Sequence, residues 1–155
     1  MSRAIILFLV PEDPAGIAEL LAEHGAEEGV GGCSDPEEIR DFLLARVGSL
    51  GEASFDLDDP MEPIEALAPV LERAGSRYFA TFDAFEERSR GLRVLGRAYV
   101  NLTGAPADRR ELQIPWTHGA PAMDERTLMA GGMTRAEAEA VCDAFFPEPS
   151  PGHRP

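Results

Sequence analysis

The stretch from Leu92 to Thr103 constrains the fold more than any other. Even positions read Leu92, Val94, Gly96, Ala98, Val100 and Leu102, and odd positions read Arg93, Leu95, Arg97, Tyr99, Asn101 and Thr103. This period-two pattern is that of a strand with one face toward a core. A second alternation follows the loop from Gly104 to Asp108: Arg110, Leu112, Ile114 and Trp116 alternate with Arg109, Glu111, Gln113 and Pro115. If the loop closes an antiparallel hairpin, Val100 faces Leu112, Ala98 faces Ile114 and Gly96 faces Trp116. An indole over a glycine fills the gap that the missing side chain leaves.

Upstream of the hairpin, the pattern is helical. Asp13-Pro14, Asp35-Pro36 and Asp59-Pro60 each place a capping carboxylate before a proline. The aspartate accepts from a free N–H of the first turn, and the proline has no N–H to leave unpaired. Apolar residues then recur at helical spacing. The first series is Ile17, Leu20, Leu21 and His24, ending at Gly25. The second is Ile39, Phe42, Leu43 and Val47, ending at Gly48. The third is Ile64, Leu67, Ala68 and Leu71, ending at Gly75. Pro63 and Pro69 predict that this third helix is bent or broken.

Short apolar runs at Ala4–Val10, Ala53–Leu57 and Ser76–Phe82 read as strands. The segment Glu27–Cys33 reads as a loop or a weak strand. Asp83-Ala-Phe-Glu86 has capping-box spacing and predicts a short helix ending at Gly91. A helical turn is expected near Asp124–Met129. Thr134-Arg-Ala-Glu137 is a second box, opening a last helix through Ala138, Val141, Cys142 and Phe145. The fold class that follows is α+β, a mixed α/β sandwich: N-terminal strand–helix alternation, then an antiparallel hairpin and a C-terminal helix. Residues 1–146 are expected to form one globular domain, with 147–155 a disordered proline-rich tail.

Composition enters through charge. The 155 residues carry 28 acidic side chains against 14 basic ones, for a net charge of -14, and every basic residue is arginine. The absence of lysine excludes Schiff-base chemistry and a P-loop. The charge opposes simple binding to nucleic acid or to anionic membranes. An arginine-only, alanine- and proline-rich chain points to a bacterial genome of high GC content. Cys33 and Cys142 are too few for a disulfide framework or a zinc signature. The first ten residues are too short an apolar run to span a bilayer. A cytoplasmic protein with reduced thiols is expected.

The charge is also unevenly placed. Residues 1–72 sum to -14, residues 73–110 to +4 and residues 111–155 to -4. An acidic helical half therefore precedes a small arginine island. The island invites two readings: pairing with the protein's own carboxylates, or recognition of an anion.

Four places deserve weighing as sites. Asp56, Asp58, Asp59, Glu62 and Glu65 form the densest acidic run. A calcium loop there would need glycine at its sixth position and glutamate at its twelfth, where Met61 and Leu67 stand, so no metal is expected. Gly29-Val-Gly31-Gly32-Cys33-Ser34 resembles a phosphate loop only superficially. Asp35, Glu37 and Glu38 fill the helix start where a phosphate would sit, and they oppose a lowered pKa for Cys33. His24 lies on an apolar stripe, and His153 in the tail. His118, in a glycine-rich loop beyond Trp116, is the candidate if the protein is an enzyme.

These readings lead to a small acidic binding protein that docks and neutralises or regulates a basic protein partner, of the toxin-immunity or inhibitor type. Asp56, Asp58, Asp59, Glu62 and Glu65 are the partner-binding residues of that reading, and it needs no cofactor. The alternative is a small enzyme or ligand-binding domain for an anionic small molecule at the 92–118 hairpin. Arg93, Arg97, Tyr99, Trp116 and His118 would line that site.

Overall fold

The computed structural model describes residues 2–27, 29–57, 61–88, 91–114, 116–117, 120–121 and 125–145. For residues 2–3, 56–57, 82–88, 91–96, 114, 116–117 and 120–121 the description is of the backbone. The fold is α+β, as its alternating patterns predict. Five strands form one antiparallel sheet: β1 (Ser2–Leu9), β2 (Leu50–Leu57), β3 (Tyr78–Arg88), β4 (Gly91–Asn101) and β5 (Arg110–Ile114). Their order is β2-β1-β3-β4-β5. Two-residue strands β6 (Trp116–Thr117) and β7 (Ala120–Pro121) pair with each other.

Each face of the sheet carries a helical layer. On one, α1 (Ala15–Glu23), α2 (Pro36–Leu44) and α3 (Met61–Arg73) cover Ala4, Ile6, Phe8, Phe55, Tyr78 and Ala80. On the other, α4 (Glu125–Ala130) and α5 (Arg135–Phe145) cover Phe79, Ala98, Val100 and Leu112. Phe145 of α5 meets Phe79 with ring centroids 6.0 Å apart. Strands β1 and β3 lie inside the sheet and are apolar on both faces, which is why Ala4–Val10 reads as an unbroken apolar run.

The expected caps form at α2 and α5, whereas α1 begins after Pro14 without a side-chain cap. Asp35 accepts from the Glu37 N–H at 2.9 Å, with Pro36 opening α2. Asp13 accepts from the Ala15 N–H at 3.2 Å, one residue before the usual capping geometry. Thr134 and Glu137 form the reciprocal box at 3.2 and 3.0 Å. Asp59 lies outside the described residues.

Several expectations are corrected. The segment after Asp83 is strand: β3 runs on to Arg88, paired residue for residue with β4. A capping box offers two hydrogen bonds, whereas the eleven-residue ladder offers one after another, and β4 alternates too strongly to do without a partner. The hairpin register differs by two, since Val100 faces Arg110, Ala98 faces Leu112 and Gly96 faces Ile114. A slip of two preserves the faces, so the core assignment survives while the Gly96–Trp116 pair does not. Helix α2 stops at Leu44, and Val47 is 41% exposed. Helix α3 is continuous through Pro69. Residues 27 and 29–33 are loop, and Gly29 is required there. A Cβ on Gly29, which has φ of +82°, would run into the backbone of Glu52, against which the loop lies along the open edge of β2.

Candidate functional site

The chemistry that the fold concentrates is a buried junction at the end of α3. Glu72 stands four residues after Ala68, on the buried stripe of the helix, and its side chain is 2% exposed. Its Oε2 accepts from the Tyr78 hydroxyl at 2.8 Å, from Asn101 Nδ2 at 3.2 Å and from Arg109 Nε at 2.8 Å. Its Oε1 accepts from a terminal nitrogen of Arg109 at 2.5 Å. Arg109 therefore binds the carboxylate as a fork, the geometry that fits a guanidinium best.

Burial pushes the Glu72 carboxyl up, but the hydrogen bonds from Arg109, Tyr78 and Asn101 and the Arg109 charge outweigh it. The net pKa lies below the ordinary carboxylate value. The Tyr78 phenol is driven up, first by burial and then by its bond to Glu72 and the Glu72 charge. The bond to Glu72 raises Arg109 in turn. A carboxylate held ionised by four donors is a poor base for a substrate, so the junction acts as a strut.

Asn101 extends the junction into the loop that follows. Its Nδ2 also donates to the Ala105 carbonyl at 2.8 Å, and its Oδ1 accepts from the N–H groups of Thr103 at 3.1 Å and Gly104 at 2.7 Å. Thr103 donates to Asp108 at 2.7 Å. Gly104, with φ of +83°, packs on the Gly75 turn so closely that an added Cβ would lie 2.5 Å from its carbonyl carbon. On the opposite sheet face, Arg110 pairs with Glu137 and donates to the Gly132 carbonyl at 3.3 Å. A cleft of about 290 Å³ opens there over Val100, Leu102 and Met133.

The proposed hairpin ligand site is described only in part. Arg97 and Tyr99 lie two residues apart on one face of β4, opposite Gln113 and Glu111. Arg97 reaches Glu111 at 3.4 Å, and its Nε is buried without a hydrogen-bond partner among the described residues. The Tyr99 pKa is raised, first by burial and then by the charges of Glu111 and Glu65. Arg93 stands four positions along β4, opposite Glu86, and Trp116 opens β6. His118 lies outside the described residues.

The acidic run divides similarly. Glu62 and Glu65 are exposed on the first turns of α3. Asp56 is near the far end of β2, opposite Arg3. Asp58 and Asp59 lie outside the described residues. Among the described residues no group of three metal-ligating side chains comes together. Beyond this run, Glu12, Asp13, Glu19, Glu23, Glu37 and Glu38 are exposed as well. An ion pair in this half joins Arg40 to Asp41 at 3.5 Å, both exposed, while Arg46 stacks on Phe42 at 3.6 Å. Cys33 has a raised pKa, from burial first and then from Glu38 and Asp35, so its thiol is no activated nucleophile.

Sequence reading missed Glu72 and Tyr78 and placed Asn101 only on the outward, odd-numbered face of the hairpin. The signals were present: a glutamate on an apolar helical stripe, and an asparagine closing an alternating strand just before a glycine loop. No helix among the described residues is long and apolar enough to cross a membrane. No family model, curated protein or solved structure matches the chain.

Proposed function

We propose that this is an acidic binding protein that docks a basic protein partner through its helical half and so neutralises or regulates it, in the manner of an immunity protein or inhibitor. One observation carries the reading. The carboxylates of α1, α2 and the start of α3 are exposed, while Arg97, Arg109 and Arg110 of the basic island each hold one of the chain's own carboxylates. These three arginines thus offer little countercharge to the exposed carboxylates of the helices. Their field is left to steer a cationic surface, raising the association rate more than the affinity.

Capture from the native source at low and high salt would supply the partner. With that partner purified, replacing Asp56, Asp58 and Asp59 by arginine should slow association about tenfold or more at low salt, with a smaller effect at high salt. An association rate indifferent to both salt and charge reversal would sink the reading. A second reading, a site for a small anion on the hairpin, has in its favour the Arg97 Nε, buried without a hydrogen-bond partner among the described residues. A small anionic molecule retained through purification would support it.

A further inference from the structure

We infer that the partner's anchor is an arginine or lysine side chain seated in a cleft at the Leu9–Leu50 end of the sheet. This rests on the basic-partner reading and places its contact elsewhere than the acidic run around Asp58. The cleft has a volume of about 430 Å³, within the range of side-chain and small-ligand sites. Leu9, Val10, Pro11 and Val47 give it apolar walls, Ser76 contributes a hydroxyl-bearing residue only 3% exposed, and Glu12 and Asp13 stand exposed among its lining residues. That lining holds two carboxylates and no arginine.

The two carboxylates of the lining favour a cation. Helix α3 ends at Arg73, and the next residues, Ala74 and Gly75, line the cleft. Helix α2 ends at Leu44, and the turn after it brings Val47 and Gly48 to the same place, Gly48 donating to the Val10 carbonyl at 3.0 Å. Arg46 and Arg73 stand at those two helix ends, Arg46 donating to the Phe42 carbonyl at 2.7 Å, so the negative charge of the cleft lining is that of Glu12 and Asp13. Asp13 also serves α1 through its bond to the Ala15 N–H, and that bond leaves its charge in place.

The surroundings suit a protein partner. Two of the four large exposed apolar residues among those described, Val47 and Leu50, lie here, at 41% and 38% exposure. Leu50 lies opposite Leu9 in the ladder. An arginine anchor ringed by apolar contacts that exclude water is the usual anatomy of an energetic centre. The aliphatic stem of a long basic side chain packs on the apolar walls and its head meets the carboxylates. Asp56 stands six positions along β2 from Leu50, about 20 Å of strand, so the two acidic regions are separable by mutation.

The test is an amide-resolved NMR titration of the full chain with the capped peptide Ac-Gly-Arg-Gly-NH2, and with its citrulline analogue, which keeps the shape and loses the charge. The expected result is saturable shifts at Val10, Gly48, Gly75 and Ser76 with the arginine peptide. The citrulline peptide should give none. Glu12→Gln with Asp13→Asn should weaken binding at least about fivefold, the asparagine oxygen still able to accept from the Ala15 N–H. Glu12→Gln alone should show part of that loss. Shifts centred on Glu62 and Glu65 instead would overturn the cleft and leave the basic-partner reading standing. No saturable shift at tens of millimolar peptide, or equal binding by the citrulline peptide or the double variant, would also overturn it.

Discussion

Glu72 is the residue on which the C-terminal end of α3 depends. A charge with a side chain 2% exposed is costly to desolvate, and four donors from three residues compensate it. Glu72→Gln leaves Arg109 without its counterion. Because Arg109 is 36% exposed, water replaces part of the interaction, and the expected loss is about 2–3 kcal/mol, read as a lower urea midpoint. Tyr78→Phe removes one donor and should cost about 1–2 kcal/mol. The pH dependence follows from the direction of the shift. The folded-state pKa of Glu72 is depressed, so its contribution is complete above the unfolded carboxylate value, about 4.3. It fades as pH falls toward the folded value. The stability gap between wild type and Glu72→Gln should therefore be constant near neutrality and close in acid; a gap that widened in acid would contradict the assignment.

At the scale of elements, local signals succeeded where a few neighbouring residues settle the matter. Asp35 and Thr134 cap the helices that their sequences announce, and removing either side chain to alanine should cost about 1 kcal/mol in thermal or chemical unfolding. Local signals failed where a distant segment competed. The box at Asp83 yields to pairing with β4, and the hairpin register is set by the turn at Pro106–Asp108 and the Asn101 contacts rather than by the strand pattern. Pro69 shows the same priority of tertiary packing. It sits inside α3 and cannot donate to the Glu65 carbonyl, yet the helix continues because Ala68 and Leu71 on either side are fully buried. Pro69 itself is exposed, so Pro69→Ala should restore that bond and raise stability by about 1–3 kcal/mol. An unchanged melting temperature would show that α3 is already relaxed around the proline.

For the whole molecule, the net charge of -14 sets the self-repulsion. Raising salt from a few millimolar to physiological strength should raise the melting temperature, because screening relieves the crowded carboxylates of α1–α3 more than it weakens the partly buried Glu72–Arg109 pair. A fall in melting temperature would mean that the described ion pairs outweigh the repulsion. The sequence by itself determined the α+β class, the starts of α2 and α5, the inward faces of the strands and the split between an acidic half and an arginine island. Capping and periodicity are encoded within a few residues, and charge is additive, so each is legible along the chain. Only the tertiary structure decided the strand order, which carboxylate is buried, and where the acidic surface meets an apolar cleft. Glu72 finds its partners 6, 29 and 37 residues away, and the cleft draws on Leu9–Asp13, Val47–Gly48 and Ala74–Ser76. Contacts at such separations form only when the sheet brings β1, β3 and the helix ends together, and no local pattern records them.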